Sequence, residues 1–145
     1  MLEKIRHKLK KILNLDCSPR KIALSTAVGI FIGFSPYVGL HTALAIGASF
    51  IFGLPFYPLI VGAYITNPFT IVPIYTLCYK FGEFVTGQHA VRPPSFSEMT
   101  LQSVLHTAKT FFIPFFTGTH LLGLILGAIA YILTYYIVKK YRGRV

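Results

Sequence analysis

Two long uncharged runs dominate the pattern of polar and apolar positions along this chain. Ile22 to Tyr79 contains no Asp, Glu, Lys or Arg over 58 residues, and Thr110 to Val138 is equally free of them. A bilayer core of about 30 Å needs roughly 20 apolar residues as a helix. The first run is well over twice that length, yet Ser35-Pro36, Gly53-Leu54-Pro55, Pro58 and Asn67-Pro68 cut it into pieces mostly shorter than one span. Proline removes an amide donor and disfavours helix at the residue before it. The pattern therefore predicts an all-α chain whose helices break inside an apolar medium, a small polytopic membrane protein with re-entrant segments.

The pieces follow in order. Leu2, Ile5, Leu9, Ile12 and Leu13 recur at helical spacing opposite Lys4, Lys8 and Lys11, which predicts an amphipathic helix over residues 2–15. Such a helix lies in the headgroup plane, or packs as a cytoplasmic helix on a partner. Ser18-Pro19 is a helix start, with Ser at the N-cap and Pro at the first helical position. That helix runs to about Phe34, and its uncharged part from Ile22 spans roughly 20 Å. This is short for a crossing and suits a re-entrant arm.

After Ser35-Pro36-Tyr37-Val38-Gly39 a second apolar helix runs from about Leu40 to Phe52. Its Ala43, Ala45, Gly47, Ala48 and Ser49 are small enough for close helix approach. Phe56 to Thr66 is a further short piece. Pro68 to about Phe84 is the next helix, with Asn67 as its cap and aromatics crowding its end. Ser95-Phe96-Ser97-Glu98 fits a capping box, so a helix starts in the polar segment and leads into the second run. Pro114 and Gly118 interrupt the start of that run, and His120 to Val138 is about long enough to cross once. The resulting divisions are a basic interfacial helix (1–17), a membrane domain (18–138) with a polar loop at 85–109, and a basic tail (139–145).

Composition agrees with this picture. Charged residues make up 12% of the chain, half the roughly 25% of a soluble domain. The net charge of +10 admits nucleic acid as a partner, but its placement favours a membrane. Lys4, Arg6, Lys8, Lys10, Lys11, Arg20 and Lys21 precede the first run, and Lys139, Lys140, Arg142 and Arg144 follow the second. Basic flanks of this kind place both termini of a multi-pass membrane protein in the cytoplasm and suit anionic lipids. No nucleic-acid role is expected. Cys17 and Cys78 have no zinc or disulfide spacing, and both read as reduced thiols. With both termini inside, two full spans plus two re-entrant hairpins satisfy the crossing count.

An offset of 79 lays Pro36-Tyr37-Val38-Gly39-Leu40-His41 against Phe115-Phe116-Thr117-Gly118-Thr119-His120. The echo fits an internal repeat of the kind that places transporter sites at the repeat interface; it also fits chance in a chain rich in Gly and aromatics.

Candidate chemistry is sparse. No metal cluster, nucleophile elbow or phosphate loop is present, and no cofactor is expected. The four acids, Glu3, Asp16, Glu83 and Glu98, all lie outside the uncharged runs, which argues against acid/base catalysis. His41 and His120 are the only histidines within those runs. Intramembrane ionisable groups are functional candidates, although a histidine at a helix start is also satisfied by a local hydrogen bond. Thr66-Asn67-Pro68-Phe69-Thr70 is the other polar cluster. It caps a helix, and its unwound backbone can also face a cavity. The candidate site gathers Ser35, Pro36, Gly39, His41, Asn67, Thr70, Gly118 and His120 as substrate-binding residues. Two functions compete. One is a small transporter or channel-like protein, oligomeric, for an anionic or lipid-linked solute. The other is a membrane-anchored adaptor that recruits a partner through its basic N-terminal helix.

Ser18-Pro19, Ala27-x-Gly29-Ile30-Phe31-Ile32-Gly33, Pro36-x-x-Gly39-x-His41-Thr42 and Thr66-Asn67-Pro68-x-Thr70 with Tyr75 together resemble the bacterial membrane family known as domain of unknown function 2062. The resemblance covers Pro19 to about Gly127 and implies a small bacterial inner-membrane protein without implying an activity. In that family the residue after Gly39-Leu40 looks more often like Gln. The paired broken hairpins also look loosely like DedA-type lipid-carrier translocases, whose intramembrane acid and arginine pairs this chain lacks.

Overall fold

The computed structural model describes residues 16–87 and 101–143, with side chains in the second segment from residue 105 onward. The expected amphipathic helix over 2–15 and the capping box at Ser95–Glu98 lie outside the described residues.

The first helix, α1 (Pro19–Phe34), starts where Ser18 accepts the Lys21 amide at 3.3 Å and Pro19 supplies a fixed φ. It ends at Ser35, which Pro36 holds in extended backbone at ψ 148°. Gly39 turns the chain with φ +88°, a conformation that a side chain would strain. The chain then enters α2 (His41–Phe52), closed by Gly53 in the left-handed region. A short α3 (Phe56–Ala63) follows, then α4 (Ile71–Thr86) and finally α5 (Leu101–Arg142). All described helices and breaks up to Thr86 fall close to where turn chemistry predicts them.

At α5 the structure departs from expectation. The helix is continuous for 42 residues, roughly 63 Å, and passes through Pro114 and Gly118 without a break. The second broken hairpin expected there is therefore not formed. Pro114 is fully buried against α4, and Gly82 of α4 lies so close that a Cβ on it would overlap the Pro114 carbonyl. Neighbouring helices let a membrane helix keep its course through proline, and here α4 packs at backbone contact on the turn that holds Pro114.

α5 is the spine of the bundle. Its C-terminal half runs antiparallel to α1, with Gly123 beside Phe31 and Phe34, Gly127 beside Ala27, and Arg142 donating to the Cys17 carbonyl. Its N-terminal half runs antiparallel to α4, with Gly118 against Cys78. α3 lies parallel to α1, because α2 returns the chain to the starting end. Gly29 and Gly33 of α1 meet Leu59, Gly62 and Ala63 of α3 at backbone contact, and Ser25 donates to the Pro55 carbonyl at 2.5 Å. α3 thus packs on α1 and α4 on the spine, and the Tyr64–Thr70 break between them sits level with the end of α1.

The small core of Ile32, Ala45, Leu54, Leu59 and Ala63 lies where α1, α2 and α3 meet. Outside it, large apolar side chains face outward: Phe50, Phe69 and Phe84 are 85%, 92% and 85% exposed. Among the described residues, α5 from Leu105 is the one helix long and apolar enough to cross a membrane. Only 17% of its most apolar stretch is buried, unlike the core helix of a soluble protein.

Candidate functional site

The two helix breaks meet, and hydroxyl groups join them. Helix C-termini leave carbonyls without intrahelical partners. At the end of α1, the Gly33 carbonyl accepts from Thr66 Oγ1 at 2.6 Å and the Ser35 carbonyl from Tyr75 at 2.9 Å. Ser35 Oγ closes back onto the Ile32 carbonyl at 2.6 Å. At the end of α3, the Ile65 carbonyl accepts from Thr70 Oγ1 at 2.9 Å. Every donor in this set is a Ser, Thr or Tyr hydroxyl that an apolar medium would otherwise leave unpaired.

Asn67 organises the second break. Its Oδ1 accepts from the amides of Phe69 at 2.9 Å and Thr70 at 3.1 Å, while its own amide donates to Thr70 Oγ1 at 2.9 Å. The sequence suggests that Asn67 caps a helix opened by Pro68. Instead it closes a tight turn over 67–70, and α4 begins only at Ile71 with Thr70 in the N-cap position.

The amide ends of the helices are arranged differently. α2 starts at Leu40 with no side-chain cap, and its first backbone bond is Leu44 N–H to the Leu40 carbonyl. The amides of His41, Thr42 and Ala43 precede that bond. α4 also starts without a side-chain cap. Between these two starts lies a cavity of about 410 Å³, lined by Gly39, His41, Thr42, Tyr64, Thr66 and Asn67, with Val38, Pro68 and Ile71 completing the wall. Thr42 and Tyr64 share a hydrogen bond of 2.7 Å across it. His41 is 8% exposed, and its buried Nε2 has no hydrogen-bond partner. No acidic side chain lines the cavity. At α4 the Ile71 amide already donates to the Asn67 carbonyl at 2.8 Å and Pro73 carries no amide, so it is the α2 start that faces this space with open amides and about +0.5 of partial charge.

Of the eight residues singled out from sequence, Gly39, His41 and Asn67 line the cavity. Ser35, Pro36 and Thr70 shape the two breaks around it. Gly118 and His120 do not belong to it. Gly118 is a packing residue inside α5, pressed against the Cys78 carbonyl. His120 Nδ1 is bonded to the Phe116 carbonyl at 2.8 Å, and its ring lies among Phe116, Phe31 and Tyr37 at centroid distances of 4.0, 5.8 and 6.2 Å. The two Gly-x-His passages thus differ in local structure, one a turn and helix start, the other mid-helix, although His120 does reach the first break through Tyr37. Thr42 and Tyr64 were not legible as site residues. Their pairing joins positions 22 apart, and a lone Tyr in an aromatic-rich chain carries no signal. Among the described residues, no three His, Cys, Asp or Glu side chains come together as a metal site would require.

The chain matches, over residues 2–145, the family described as "uncharacterized protein conserved in bacteria", domain of unknown function 2062, and it belongs to that family. No curated protein and no solved structure matches it.

Proposed function

We propose that this protein is a polytopic inner-membrane protein that binds an anionic or lipid-linked solute in the His41 cavity and moves it through the bilayer. The observation that carries the reading is a buried, unpartnered imidazole nitrogen at the uncapped start of α2, in the wall of a cavity without acids. Helix N-termini at broken helices bind anions in many transporters, because open amides and the macrodipole act together.

The proposed topology follows from the charges. Arg20, Lys21, Lys139, Lys140 and Arg142 mark one end of the bundle, and the Arg142–Cys17 bond ties them to one level. By the positive-inside bias this end is cytoplasmic. α1 and α2 then form one re-entrant hairpin, α3 and α4 together make one broken crossing, and α5 makes the return crossing. That gives two crossings and a single hairpin, with both termini inside. The cavity lies at the tip of the hairpin, near mid-depth.

Proteoliposomes test the reading. Uptake of labelled inorganic phosphate and sulfate, and transbilayer movement of a fluorescent lipid phosphate, are compared for wild type, His41→Ala and Asn67→Ala. Protein-dependent movement of at least one probe, lost in both variants while helicity and monodispersity stay intact, is expected. Movement of none of them by wild type refutes the reading.

A further inference from the structure

We infer that the ligand of the His41 cavity is an amphiphile, a phosphate monoester on a hydrocarbon chain, with its headgroup in that cavity and its chain in the groove between α4 and α5. The inference rests on the proposed anion site and adds the ligand's class to it.

The argument starts at Ile71, the first residue of α4. Ile71 lines the polar cavity and also lines a second cavity of about 410 Å³. This second space is a groove walled by Val72, Tyr75 and Thr76 of α4 and by Phe111 and Phe115 of α5. Tyr75 meets Phe115 edge-on at 5.2 Å, and Tyr79 stacks on Phe111 at 4.9 Å. The polar groups there are already paired: Thr76 Oγ1 is turned back onto the Val72 carbonyl at 2.7 Å, the Tyr75 hydroxyl reaches the Ser35 carbonyl, and the Tyr79 hydroxyl is bonded to Glu83. A charged headgroup has no partners in the groove, and a hydrocarbon chain has no use for the donors around His41. A single molecule with both parts satisfies both cavities across their shared wall.

The headgroup chemistry follows from the donors. The amides of His41 and Thr42 at the open helix start and the paired hydroxyls of Thr42 and Tyr64 offer donors at the cavity, with the unpartnered His41 Nε2 buried in its wall. A tetrahedral oxyanion uses such a set better than a planar or single-atom anion does. No Lys or Arg lines the cavity, and the open start of α2 supplies about half a positive charge. That balance suits a monophosphate rather than a diphosphate. The chain raises affinity chiefly by concentrating the headgroup at the mouth of its site, an effective-concentration gain on the order of tenfold or more.

The test is competition for a fluorescent lipid phosphate bound to the full-length protein in zwitterionic nanodiscs. The competitors are lysophosphatidic acid, inorganic phosphate and uncharged monoacylglycerol. The variants are Val72→Trp and Thr76→Phe, which fill the groove from exposed positions, and His41→Ala with His41→Gln as the donor-retaining control. For wild type, lysophosphatidic acid should compete at least tenfold better than inorganic phosphate. Both groove variants should lose that advantage and keep inorganic phosphate competition. His41→Ala should weaken both phosphates, and His41→Gln should restore part of the loss. Equal competition by the two phosphates, or groove variants that match wild type, overturns the amphiphile and leaves the anion site standing. Monoacylglycerol competing as well as lysophosphatidic acid, or His41→Ala indistinguishable from wild type, overturns the amphiphile and the anion site together.

Discussion

Gly118→Ala should weaken the bundle, although alanine is the better helix former. Gly118 sits where α5 meets α4, and a Cβ there would overlap the Cys78 carbonyl and approach the Gly82 amide at 2.9 Å. The obstruction is backbone on a packed helix, so relief requires the two helices to separate. Separation also loosens the fit of Gly82 to Pro114 and the ring contacts of Tyr75 with Phe115 and Tyr79 with Phe111. Inserting one carbon into such a contact costs about 1–3 kcal/mol. Alanine recovers up to about 1 kcal/mol over glycine by helix propensity. The net expectation is a loss of about 1–2 kcal/mol. Gly47→Ala in α2 is the internal control, because a Cβ at Gly47 meets nothing within 4 Å. There only the propensity term acts, and stability should hold or rise by up to about 1 kcal/mol. The assay is reversible denaturation in mixed micelles, followed by circular dichroism, with both variants beside wild type. A Gly118→Ala midpoint at or above that of Gly47→Ala refutes backbone contact between α4 and α5.

Other outcomes follow from the same geometry. Tyr75→Phe and Thr66→Val remove the donors to the Ser35 and Gly33 carbonyls, and each should cost about 1–2 kcal/mol in the same assay, since a buried acceptor is left unpaired. Ser18→Ala removes the N-cap of α1 and should cost about 1 kcal/mol, with Ser18→Asn close to wild type. In inside-out vesicles the half-buried Cys17 should react with an impermeant maleimide, while Cys78, fully buried between α4 and α5, should react only after denaturation. Labelling of Cys17 only in right-side-out vesicles would refute the proposed orientation.

Much of the first half was legible without coordinates, because breaks are set by local stereochemistry. Ser18-Pro19 opens α1, Ser35-Pro36 ends it and Gly53 closes α2, each within a residue or two of the reading from sequence, while around the Asn67-Pro68 turn α3 ends and α4 begins about three residues away from it. The uncharged runs, too, state by themselves that these helices suit an apolar surrounding. What the sequence could not decide is which helix faces which. In helices that are apolar nearly all round, no stripe marks the partner face. The parallel pairing of α1 with α3, the hydroxyls of Thr66 and Tyr75 that close the end of α1, and the Thr42–Tyr64 bridge are all long-range choices made by packing.

The same reason explains the failure at Pro114. Proline always removes one amide, but whether a helix breaks there depends on what surrounds it. Beside Pro36, the chain has Gly39 in a left-handed turn and a new helix to start. Beside Pro114, Gly82 of α4 lets a neighbouring backbone close against the helix, and α5 continues. Two prolines with similar sequence surroundings therefore have opposite outcomes. Local chemistry sets where the chain is able to turn, and tertiary contact decides where it does.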